Sequence, residues 1–143
     1  MAITLAEAKH ESVRVQKSLV ALIPAELRSE DKLPEPGTVK ITPMACDNGL
    51  FSYPGGSAVR LIEGADGQAV AEIIERGLRE LGWRETDIPT KSQPHRKQFR
   101  SADGYSAIIS TIDRSDDLPM VIIDVWSPCA VPPAGFNKYS DKI

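Results

Sequence analysis

The chain has 143 residues, 41% of them hydrophobic and 26% charged, with a formal net charge of -3, which suits one domain with a core of its own. That charge offers no overall basic field for nucleic acid or an anionic membrane. No stretch approaches the roughly 20 apolar residues of a membrane span.

Met1-Ala2-Ile3-Thr4 leads straight into an amphipathic pattern, without the charged and apolar regions of a signal peptide. A cytoplasmic protein reads this way, and so does an exported one whose leader is replaced by Met-Ala. Thr4-Leu5-Ala6-Glu7 has the capping-box pattern of a helix start. Leu5, Ala8, Val15, Leu19, Leu22 and Ile23 follow at helical spacing, and Pro24 sets the stop. From Ala25 to Gly37, with Pro34 and Pro36, the chain reads as a surface loop.

Thr38–Thr42 alternates as a strand should, and Ser57–Glu63 does so again after Pro54-Gly55-Gly56, read as a turn. Asp66 is placed to cap a second helix, with Val70, Ile73, Ile74, Leu78 and Leu81 as its apolar stripe and Gly82 as its C-terminal cap. Strands are expected over Trp83–Thr86, Lys97–Ser101, Tyr105–Ile112 and Met120–Ser127, with a hairpin at Asp103-Gly104 and a turn over Asp113–Leu118. The apolar runs Ala107–Ile109 and Val121–Ile123 mark central strands. The order α-β-β-α-β-β-β-β predicts an α+β fold, an antiparallel sheet with two helices packed on one face. Residues 4–131 form the single domain in this reading, and 132–143, with Pro132, Pro133 and Gly135, an irregular tail.

The candidates for chemistry are few. His10 lies beside Glu7 and Glu11 on a helix and reads as a solvated side chain, while His95 sits in the segment Lys91–Lys97. Neither belongs to an HExxH, CxxC or similar spacing, so no metal and no cofactor is expected. There is no G-x-S-x-G elbow. Gly55-Gly56-Ser57 and Gly64-Ala65-Asp66-Gly67 read as turns and not as phosphate loops, and Asp113, Asp116 and Asp117 lack EF-hand spacing.

The local basic cluster holds Lys91, His95, Arg96, Lys97, Phe99 and Arg100, a candidate partner-binding edge. One such loop on an acidic chain releases few counterions, so nucleic acid is not the expected partner. On the last strand Val121, Ile123 and Val125 should face the helices. The other face carries Asp124 and Trp126, where a ligand groove forms if the sheet is open on that side.

Cys46 and Cys129 are the only cysteines, each just beyond an expected strand. Two strand ends side by side would bring the sulfurs within disulfide reach. Placement alone leaves two readings open, a disulfide or two separate buried thiols.

A cysteine after an early strand, the helix end Leu81-Gly82-Trp83, the corner Asp103-Gly104-Tyr105 and the close Ser127-Pro128-Cys129 together resemble small secreted proteins and lipoproteins of the actinobacterial cell envelope, including the LppA-like group. In such proteins the two later cysteines pair, so the resemblance implies a Cys46–Cys129 disulfide and an extracytoplasmic location, and no catalytic residue. This chain carries neither the leader nor the lipobox of that group.

The expected function is therefore a non-enzymatic binding or structural module of the cell envelope. It would meet another protein, a lipid or a glycan through the sheet face or the basic edge, and a membrane only through an N-terminal lipid anchor absent from this chain. Two alternatives stand beside it: a small hydrolase or redox enzyme using an atypical site at Cys46 or Cys129, and a cytoplasmic nucleic-acid-binding or toxin-neutralising module.

Overall fold

A computed structural model describes residues 2–86, 95–113 and 117–143. Helix α1 spans Leu5–Val20 and opens on the expected capping box: Thr4 Oγ1 accepts from the Glu7 N–H and Glu7 Oε1 accepts from the Thr4 N–H, each at 3.1 Å. Helix α2 spans Gly67–Glu80, capped by Asp66, whose carboxylate accepts from the Gln68 and Ala69 N–H groups. It stops at Gly82, which takes the left-handed conformation (φ 90°) that closes a helix without a Cβ penalty.

Five antiparallel strands form the main sheet in the order β3-β7-β6-β5-β4: β3 Pro54–Arg60, β4 Arg84–Thr86, β5 Arg96–Arg100, β6 Ser106–Ile112 and β7 Met120–Trp126. Both helices pack on one face of it. Val15 and Leu19 of α1 and Val70, Ala71, Ile74 and Leu78 of α2 meet Ala107, Ile109, Val121, Ile123 and Val125 in one continuous core. The α+β class, the antiparallel sheet and the order of elements agree with the reading of the sequence.

The early strands sit elsewhere than expected. Thr38–Thr42 is not a strand; a two-stranded ribbon, β1 Met44–Ala45 and β2 Phe51–Ser52, takes its place. Ile41 instead exchanges backbone hydrogen bonds with Ile143, at 2.6 and 2.9 Å, so the irregular C-terminal segment is fastened to this arm. Strand β3 begins three residues before the expected Ser57, inside what reads as a Pro-Gly-Gly turn. The glycines are there for close approach. A Cβ on Gly55 would lie 2.5 Å from Ser12 Oγ and Gln16 Nε2 of α1, and one on Gly56 would lie 2.5 Å from Asp124 Oδ1.

Cys46 and Cys129 are joined by a disulfide, with Cα atoms 6.2 Å apart. The bridge does not link neighbouring strands of the main sheet, as expected for Thr38–Thr42 beside Met120–Ser127. It ties the ribbon to the chain just past β7, where Phe51 and Ala130 exchange hydrogen bonds at 2.9 and 2.7 Å. Among the described residues no helix is long and apolar enough to cross a membrane.

Candidate functional site

Strand alternation decides where the basic cluster goes. Side chains of β5 point alternately to the two sheet faces, so Arg96, Gln98 and Arg100 lie on the face away from the helices. Phe99 faces the helices. It is 0% exposed, with the Arg79 guanidinium 5.2 Å from its ring centre. Lys97, on the same side, lies 3.9 Å from Glu85. His95 is also withdrawn: it is buried, and its Nε2 lies 2.5 Å from Oε2 of Glu75, which is buried on α2. Phe99 and His95 therefore take no part in a docking edge, a correction to the cluster read from the sequence. Lys91 lies outside the described residues, as do residues 114–116, on which part of the expected Asp113–Leu118 turn falls.

The register of the strands lays out the opposite face row by row. Pro54, Trp126, Ser106, Arg100 and Arg84 form the first row, and Gly56, Asp124, Ile108, Gln98 and Thr86 the second. Ala58, Ile122, Ser110 and Arg96 form the third, and Arg60, Met120 and Ile112 the fourth. No described helix lies over this face. Its β3–β7–β6 half is largely apolar, with Trp126, Ile122, Ile108 and Met120 each half-buried. Its β5–β4 half is cationic.

Arg84 and Arg100 stand directly opposite one another on that face, both exposed. Neither they nor Arg96 has a carboxylate within 4 Å among the described residues, although Arg14, Arg60 and Arg79 do. Asp124 is the one acid in the apolar half. Burial pushes its carboxyl above the ordinary range, and the Coulombic pull of Arg96 offsets part of that.

The concavities lie elsewhere. A cleft of about 120 Å³ runs beside the edge of β3, between Ser57–Arg60 and the 29–36 segment, smaller than the roughly 300 Å³ at which small-molecule pockets begin. A groove lies along α1 beside the β5–β6 turn. Both cysteine sulfurs are in the disulfide, so neither offers a free thiol, and among the described residues no group of His, Cys, Asp and Glu converges to hold a metal.

Comparison with models of known families, with curated proteins and with solved structures finds no match to this chain.

Proposed function

We propose that the protein is a non-enzymatic binding module whose open sheet face receives an acidic, partly apolar surface of another protein. The carrying observation is the Arg84–Arg100 pair on the same face as Ile108, diagonal to Arg100, and Trp126, one strand further on beyond Ser106. Like charges placed opposite one another on a sheet destabilise it. An anionic group on a partner removes that penalty when it binds.

The rest of the face agrees with such a partner. It is broad, its apolar half would form the centre of an interface, and its arginines would form the polar part that sets orientation. Trp and Arg are the side chains that anchor such contacts most often. A disulfide supports life in an oxidising compartment, and with the resemblance to envelope proteins it favours a secreted or lipid-anchored protein outside the cytoplasm.

Isotope-labelled protein titrated with an acidic amphipathic peptide of alternating Glu and Leu tests this by NMR. The reading expects saturable shifts at Arg84, Arg96, Arg100, Ile108 and Trp126 that disappear in an R84E/R100E double variant. A response on this face to anionic vesicles or a sulfated glycan alone replaces the protein partner by that class. Silence of this face toward all three probes refutes the proposal.

A further inference from the structure

Two adjoining hollows, of about 500 and 550 Å³, form a groove between α1 and the β5–β6 turn, and both are lined by Glu11, Asp103 and Tyr105. Glu7 and His10 line one end, and Trp83 the other. Each carboxylate already has a partner: Glu7 in the helix cap, Glu11 through both oxygens with Arg14, and Asp103 with the Ser101 hydroxyl at 2.6 Å. With Arg14 counted, three acids and one base leave the groove anionic.

The second observation is Tyr105. It is only 5% exposed, and among the described residues its hydroxyl has no hydrogen-bond partner, while its backbone is fixed by the turn through Ser101. The ring is buried, whereas the hydroxyl oxygen keeps contact with solvent where the residue lines both hollows. Burial first, then the charges of Glu11, Asp103 and Glu7, push this hydroxyl up to about 12. It therefore stays protonated, with its oxygen lone pairs free to accept.

We propose that this groove binds the ammonium or guanidinium head of a Lys or Arg side chain from a protein, with Glu11 and Asp103 supplying charge and the Tyr105 hydroxyl accepting an N–H. The three acids are spread along the groove and not gathered on one point, which suits an organic cation better than a metal ion. An aliphatic stem leading to the head would lie along the ring of Tyr105 and toward Trp83. The site is separate from the open sheet face, so its failure and that of the sheet face are independent.

The test is an NMR titration with acetyl-lysine amide and acetyl-arginine amide, with acetyl-norleucine amide as the uncharged control and a Gly-Lys-Gly peptide as the protein-like probe. The inference expects saturable shifts at Tyr105, Glu11 and Asp103 from the cationic probes alone. D103N and E11Q should each weaken binding about fivefold to tenfold. Y105F should weaken it about threefold to tenfold without lowering the melting temperature, since the hydroxyl it removes has no partner among the described residues. Equal shifts from the norleucine compound, or a Y105F variant that melts lower and binds as before, would overturn the inference. Binding of the free amino-acid amides without the peptide would also overturn it, because the site would then serve a small amine.

Discussion

Removing the disulfide by a C46A/C129A double substitution isolates what the bridge contributes. The two cysteines are 83 residues apart in sequence, and the closed loop contains the whole main sheet and α2. The chain-entropy model values such a closure at about 4.6 kcal/mol. Against a total of about 5 to 15 kcal/mol for a domain, that is roughly a third or more of the stability.

The folded state should change little, because other bonds hold the bridged arm in place. Phe51 and Ala130 keep their paired hydrogen bonds, Cys46 N–H donates to Leu50 O at 2.8 Å, and Phe51 packs edge-on against Phe136 with ring centres 5.1 Å apart. The effect therefore acts on the unfolded chain. Guanidinium unfolding of the parent and the double variant, with matched far- and near-ultraviolet circular dichroism, should show an unchanged native spectrum. It should also show a stability loss of about 4 to 5 kcal/mol, equivalent to about 10 to 20 °C in melting temperature. A loss below about 1 kcal/mol would refute the entropic reasoning. A native near-ultraviolet signal lost before denaturant is added would place the effect in the folded state instead.

Three further outcomes follow from buried groups. H95A leaves the Glu75 carboxyl buried without its partner and should cost about 2 to 4 kcal/mol in urea unfolding; an E75L/H95L double variant should recover most of it, and failure to recover would mean that the pair does more than satisfy itself. G55A drives a Cβ into Ser12, Gln16 and Tyr53 and should cost about 2 to 3 kcal/mol, whereas G64A, with nothing within 4 Å but a φ of 82°, should cost about 1 kcal/mol by backbone strain alone. Burial raises the Asp124 pKa above its ordinary 3.8. Its contribution is thus full below the unfolded value, where both states are protonated, and is lost as pH rises through the folded value. D124N should gain on the parent as pH is raised from about 4 to 7, and parallel stability curves would contradict the burial argument.

Much of the fold is legible because its signals are local. The Thr4–Glu7 box, the Asp66 cap, the stripe Val70–Leu78, the Asp103-Gly104 corner and the apolar runs of β6 and β7 each state their own structure in a few residues. What stays hidden depends on partners distant in sequence. Gly55 and Gly56 look like a turn until Ser12, Gln16 and Asp124 are brought against them. Ser12, Gln16 and Glu75 occupy buried helix positions at the same spacing as their apolar neighbours, yet their polarity marks them as surface. Their spacing is the available signal. The basic segment reads as one cluster only while the period of two is left out; applied, that period separates Arg96 and Arg100 from Lys97 and Phe99. Arg84 is missing from the cluster since only the β4–β5 register brings it opposite Arg100.

The central claim is that the open face keeps an unfavourable charge arrangement for the sake of a partner. R100E tests it most directly, by measuring melting temperature and binding of the acidic peptide on the same sample. The claim predicts a free protein that is more stable, by about 0.5 to 1 kcal/mol as the introduced carboxylate pairs with Arg84, together with loss of peptide binding. A variant that melts lower, or one that binds the peptide as well as the parent does, would contradict it.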